Sequence, residues 1–161
     1  MARPAERALP ERRGPLDLGI LPGLLGYRMR RAQLALYQDF LAASEPFALR
    51  QTQFAVLEIL ERNPGAAPSA VSSALGIKRT NFVPLFDELA RRGLAERRAD
   101  PSDRRARGLF LTKAGAALVA RARAAILGQE ARLAARLGAD DAATLRALLE
   151  RAEAAAQMNE S

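Results

Sequence analysis

Between Pro68 and Thr112 the chain reads PSAVSSALGIKRTNFVPLFDELARRGLAERRADPSDRRARGLFLT, and the spacing of apolar residues, glycines and charges in it leaves few folds open. Pro68 suits the first turn of a helix, where its missing N–H has no partner to lose. Val71 and Leu75 stand four apart, on one helical face. Gly76 follows where a helix commonly ends in a left-handed residue. A second helix is expected from about Lys78–Thr80, with Thr80 as its N-cap. Phe82, Leu85, Phe86 and Leu89 then recur at i, i+3, i+4 and i+7, the mark of a core-facing stripe. Gly93 closes this helix, and Arg91 and Arg92 in its last turn suit the negative end of the helix dipole. Two short β-like runs follow, Leu94–Arg98 and Arg107–Leu111. The ADPSDRRA between them carries Asp-Pro and Ser-Asp turn chemistry.

The outer face of the second helix carries Arg79, Thr80, Asn81, Val83, Pro84 and Asp87. A helix-turn-helix lays such a face in the DNA major groove, with its N-terminal residues nearest the bases. Asn can bond adenine in bidentate fashion, Arg can bond guanine, and Val or Pro can touch a thymine methyl. On the two helices alone, a solvated helical hairpin fits equally well. The β-hairpin shifts the balance. Arg97, Arg98, Arg104, Arg105 and Arg107 gather at its flanks and tip, where like charges repel. Phosphates, or a narrow minor groove, would offset that repulsion. Asp103 stands two before Arg105 and is placed to fix its side chain. A merely solvated loop is the other reading, and the clustering of charge weighs against it.

The segments LGIKRTNFVPLFDELARRGLAERR and DPSDRRARGLFLTKAG resemble the MarR family of winged helix-turn-helix regulators. Asp103 and Arg105 match the family's wing signature, in which the Asp orients an Arg that enters the minor groove. Leu111, Thr112 and Gly115 match the start of its long fifth helix. The close match covers under a third of the chain, but the order and length of the flanking helices agree over residues 16–157. The resemblance and the surface chemistry together give a candidate DNA surface. It comprises Ser69, Lys78, Arg79, Thr80, Asn81, Val83, Pro84, Arg98, Asp103, Arg104 and Arg105. Pro84 departs from the pattern, being inside the recognition helix. With Thr80 capping, it would forfeit only the first intrahelical bond, so a slight distortion is expected rather than a break. The resemblance also implies an effector site between the first, second and fifth helices, often for aromatic carboxylates or their thioesters. Tyr27, Arg31, Tyr37 and Phe54 are the candidates there, since Arg with aromatic rings suits a planar acid. The alternative is that Tyr37 and Phe54 are core and Arg31 is solvated.

The rest of the chain frames this stretch. Helices are expected over 22–43, with Leu25, Met29, Leu36 and Phe40 as the apolar side, and over Arg50–Arg62, with Phe54, Leu57 and Leu60. Asn63-Pro64-Gly65 stops the second. Arg50 stands where the family usually has Thr, so Gln51 or Thr52 is expected to help satisfy that helix start. Thr112 can cap a long helix to Leu137, with Leu118, Ile126 and Leu133 on its apolar side. Gly138 breaks it, and Asp140 and Asp141 favour the start of a last helix carrying Leu145, Leu148 and Leu149. These ends hold too little core of their own. An intersubunit bundle would bury them, although packing within one chain is the other possibility. The expected architecture is mainly α with a small β wing. Residues 1–15 form a disordered basic arm, 16–48 and 112–161 a helical dimerisation region, and 49–111 the winged helix-turn-helix domain.

Composition narrows the function. The net charge of +7 by itself fits DNA, RNA, a membrane surface or another polyanion. With no Cys and no His, thiol chemistry and the commonest transition-metal ligand are both missing. No apolar run approaches the ~18 residues of a membrane span. Pro4, Pro10, Gly14 and Pro15 interrupt the N-terminal segment, which has no signal-peptide core, so a cytoplasmic location is expected. No nucleophile–base pair or glycine-rich phosphate loop is evident, so an enzyme is not expected, nor a cofactor or metal. The leading expectation is a dimeric regulator, a repressor of palindromic operators on double-stranded DNA, released by a small-molecule effector and without a membrane partner. The alternative is an effector-independent architectural DNA binder. A footprint separates them: a protected palindrome marks the regulator, uniform coverage the architectural protein.

Overall fold

A computed structural model describes residues 14–99 and 107–157. The elements run α1 (Leu25–Ser44), α2 (Gln51–Arg62), α3 (Pro68–Ala74), α4 (Arg79–Arg91), β1 (Ala95–Ala99), β2 (Arg107–Leu111), α5 (Lys113–Leu137) and α6 (Ala139–Gln157). The chain divides into two compact units between Ala35 and Leu36. The expected arm at 1–15 lies almost wholly outside the described residues.

In the first unit Pro22 opens a 3-10 turn, Leu21–Gly23, and extended Leu24 then separates that turn from α1. The helix therefore begins at Leu25 rather than at the expected Pro22. Arg28 Nε donates to Pro22 O at 2.7 Å and ties the turn to the helix. The apolar side assigned to α1 is not a core face along its length. Leu25, Met29 and Leu36 are exposed, and only Phe40 of the four is buried.

The second unit holds the core. Val56, Leu57 and Leu60 of α2 meet Phe82, Phe86 and Leu89 of α4, with Leu49, Val71, Leu94, Ala95, Leu109, Val119 and Ala122 completing the cluster. Each large apolar side chain so buried contributes roughly 1.5–3 kcal/mol. On α5 the fully buried positions are Val119 and Ala122, whereas Leu118, Ile126 and Leu133 are half-buried. Small residues therefore let α5 approach α2 closely. Arg123 of α5 adds hydrogen bonds to Glu58 and Glu61 of α2.

Helix ends follow the glycines. Gly76 has φ +61° and Gly93 φ +67°. After α3, Ile77 N bonds Ser72 O and Gly76 N bonds Ser73 O; after α4, Leu94 N bonds Leu89 O and Gly93 N bonds Ala90 O. Both ends are thus closed by the paired bonds of a Schellman motif. The helix starts are less regular. Lys78, not Thr80, is the N-cap of α4, and it offers no side-chain capping bond. At α2 the expected Gln51 or Thr52 gives way to Gln53, whose Oε1 accepts from Arg50 N at 3.0 Å. That is the N3 half of a capping box.

β1 and β2 pair antiparallel, from Ala95↔Leu111 to Ala99↔Arg107. Residues 65–66 extend this sheet: Gly65 N donates to Leu109 O at 2.9 Å, and Leu109 N to Ala66 O at 3.0 Å. Gly108 is required here, because a Cβ on it would lie 2.8 Å from Gly65 O. Thr112 caps α5 as expected, accepting from Gly115 N at 3.0 Å and donating to Gly93 O at 2.7 Å.

Candidate nucleic-acid interface

The α4 stripe separates two chemistries on one helix. Phe82, Phe86 and Leu89 are fully buried, and the Phe82 and Phe86 rings stack with centroids 6.1 Å apart. That face anchors the helix. Turned the other way, Arg79, Thr80, Asn81, Val83 and Pro84 are all exposed, in the first turns of α4, just after exposed Lys78. Among the described residues no carboxylate pairs with Lys78 or Arg79. Basic, amide, hydroxyl and apolar groups at the positive end of a helix dipole form a surface suited to phosphates and base edges. Ser69, exposed at the start of α3, accepts from Ser72 Oγ through its carbonyl.

Pro84 sits deeper in α4 than expected. With Lys78 as N-cap, the first i→i−4 bond is Phe82 N to Lys78 O, and Pro84 lacks the N–H that would have reached Thr80 O. The helix nevertheless continues unbroken from Arg79 to Arg91. Its buried aromatic face holds it in place where a backbone bond is missing.

The hairpin is fastened to α4 by Arg97. Its guanidinium lies 4.6 Å from the Phe86 ring centroid and donates to Asp87 Oδ1 at 2.7 Å. Asp87 is thereby engaged with the wing. Arg98, one residue on, lies over the Phe110 ring at 4.8 Å and donates to Glu96 from Nε at 3.0 Å. A phosphate contact by Arg98 would have to compete with Glu96. Asp103, Arg104 and Arg105 lie outside the described residues.

A cleft of about 660 Å³ opens between the C-terminal half of α1, the 45–48 connection, the start of α2 and Glu88 of α4. Gln38, Leu41, Leu49, Arg50, Gln53 and Glu88 are among its walls. Arg50 pairs with Glu88 across it. Arg92 donates to Ala48 O at 2.8 Å and Phe47 O at 3.1 Å. The Gln53 side chain first, and then the Arg50 and Arg92 guanidiniums, hold the Glu88 carboxyl below its ordinary 4.5 against partial desolvation. Gln53 Nε2 itself is buried without a hydrogen-bond partner. None of the four expected effector residues lines this cleft. Tyr27 (half-buried) and Arg31 (exposed) belong to the first unit. In the second, Tyr37 is half-buried, and Phe54 packs against the core with its ring 6.3 Å from Phe40. The residues of the cleft escaped sequence reasoning because Arg50 and Glu88 are 38 positions apart. The one local signal was a Gln three residues after a helix start.

The MarR family profile matches residues 49–106, which span α2 through β1. A putative transcriptional regulatory protein for the hcr operon of Thauera aromatica is 31% identical over 150 residues, covering 92% of this chain and 88% of that one. Among solved structures, the transcriptional repressor CouR bound to a 23-mer DNA duplex superposes with a TM-score of 0.82. It is 41% identical, over 87% of this chain and 99% of that one. CouR bound to p-coumaroyl-CoA gives a TM-score of 0.79 at 39% identity, over 84% and 96%.

Proposed function

The chain belongs to the MarR family of transcriptional regulators, and from that premise we propose a cytoplasmic repressor that holds DNA as a two-fold dimer and is released by an aromatic acyl-CoA or the corresponding acid. The observation that carries the DNA reading is the two-sided α4. A fully buried aromatic stripe fixes the helix while Lys78, Arg79, Thr80, Asn81, Val83 and Pro84 stand in solvent. In this reading they meet the major groove, and Asp103, Arg104 and Arg105 serve the wing. Residues 49–111 form the DNA-binding domain, and 16–48 with 112–161 the dimerisation region. The reading is non-catalytic: the sequence holds neither Cys nor His, and the family is one of regulators. No helix of the described residues is long and apolar enough to cross a membrane.

The effector class is drawn from the CouR complexes with DNA and with p-coumaroyl-CoA. Tyr27, Arg31, Tyr37 and Phe54 are proposed to meet the aromatic acyl end. An effector can release DNA only by favouring the geometry that does not fit the operator, since equal affinity for both shifts nothing. The test is a footprint on DNA flanking the gene, repeated with rising p-coumaroyl-CoA. A protected inverted repeat that disappears as the thioester saturates supports the reading. A thioester that binds tightly and leaves the footprint intact would exclude it as the inducer.

A further inference from the structure

Among the described residues, Ala48 is the only one other than glycine with a positive φ, at φ 48° and ψ 46°. A residue with a Cβ takes this left-handed conformation at a cost, and keeps it only where its surroundings impose it. Ala48 ends a 3-10 turn, Glu45–Phe47, and its N–H donates to Glu45 O at 3.0 Å. Glycine is the usual residue at such a helical end. Buried Ser44 precedes the turn and buried Leu49 follows it. The left-handed residue between them therefore sets the direction in which the C-terminal half of α1 leaves α2.

Residues of α4 and α5 hold this corner. Arg92, at the C-terminal end of α4, donates from Nη1 to Ala48 O at 2.8 Å and from Nη2 to Phe47 O at 3.1 Å. Arg121 of α5 lies 5.6 Å from the centroid of the Phe47 ring, which packs against the core. Among the described residues no carboxylate lies within 4.0 Å of Arg92, so the backbone carbonyls are its close polar partners. The Ala48 side chain is exposed, so packing does not account for its conformation. We propose that the Ala48 corner is a strained hinge and that Arg92 is a positioning residue for DNA recognition, latching this hinge to the recognition helix. This role rests on the DNA reading above: Arg92 touches neither DNA nor effector and acts through two carbonyls. With the latch closed, Ala48 stays left-handed and α4 keeps the placement that meets the operator. With it open, Ala48 gains by leaving the left-handed region, and α4 loses its tie to the turn.

Salt dependence and a glycine rescue separate the latch from a phosphate contact and from a merely structural bond. Fluorescence anisotropy of a labelled duplex carrying the footprinted inverted repeat gives operator affinity against salt for the full chain and its variants. Arg92→Met should weaken binding about tenfold, the scale of one strained backbone residue, with the salt slope unchanged. Were Arg92 a phosphate contact, the slope would fall by about one. That result overturns the proposal, and so does wild-type affinity in Arg92→Met. Glycine adopts the left-handed conformation without a latch, so adding Ala48→Gly to Arg92→Met should recover most of the lost affinity. A double variant as weak as Arg92→Met alone also overturns it. If Arg92→Met fails to fold, Ala48→Val takes its place. The position is exposed, so the larger side chain has room, but a β-branched residue is an outlier at positive φ. It should weaken the operator by about tenfold or more with Arg92 intact, and unchanged affinity there overturns the hinge. If the wild-type protein protects no DNA at all, the DNA reading falls and the latch is read by NMR instead. Backbone carbon shifts of residue 48 that leave the left-handed range in Arg92→Met uphold the latch, and unmoved shifts overturn it.

Discussion

Gly115 has no room for a side chain. A Cβ built on it would lie 2.0 Å from Leu94 O and 2.8 Å from Leu111 Cδ1. The first turn of α5 therefore lies directly against the backbone that enters β1. Gly115→Ala should cost at least the 1–3 kcal/mol of an overpacked core, read as a lowered midpoint in urea with an unchanged slope. Glu88 offers a second residue-level prediction, in pH. Its folded pKa is depressed below 4.5 by Gln53, Arg50 and Arg92, so its contribution is fully present above the unfolded value and is lost as pH falls through the folded one. The difference in melting temperature between wild type and Glu88→Gln should be constant above about pH 5 and shrink on further acidification. A difference that grows with acid would reverse the sign of the shift.

At the scale of elements, α4 does two jobs with conflicting demands. Pro84 removes a bond from the helix interior, a defect of roughly 3 kcal/mol relative to Ala, yet it stands exposed on the face assigned to DNA. Pro84→Ala should raise the melting temperature and weaken the operator at the base step that meets this position, as resolved by binding to a panel of single-base operator variants. Much of α4 was legible beforehand. Phe82, Phe86 and Leu89 were spaced as a stripe and are buried; Gly93 marked the end and has positive φ. Its start was not legible, because Lys78 caps without a side-chain bond and Thr80 carried the usual signal. The same division holds elsewhere. Thr112, Gly76 and the two strands announce themselves through local chemistry. Arg97 clamping Asp87 over Phe86, and Arg50 meeting Glu88, depend on how distant segments pack, and periodicity does not encode that. The exposed Leu25 and Met29 show the converse error: an apolar spacing says that a face will be covered, not by what.

For the whole molecule, α6 makes the same point. Leu145, Leu148 and Leu149 remain 42%, 50% and 44% exposed in the single chain, an arrangement that a second subunit would relieve. Each leucine covered contributes roughly 1.5–3 kcal/mol, enough in combination to exceed the cost of association. Replacing Leu145 and Leu149 together by Asp should give monomers with a collapsed operator affinity. Light scattering that finds the unmodified protein monomeric at micromolar concentration, with full affinity for one palindrome, would sink the dimer. The join between hairpin and α5 has a different consequence. Thr112 binds Gly93 O through its side chain and Leu94 O through its backbone, while Gly115 lies against Leu94. The phase of α5 is thus set at the hairpin's base, independently of the number of residues between Ala99 and Arg107. That stretch can be lengthened, shortened or recoded without re-registering the helix that follows.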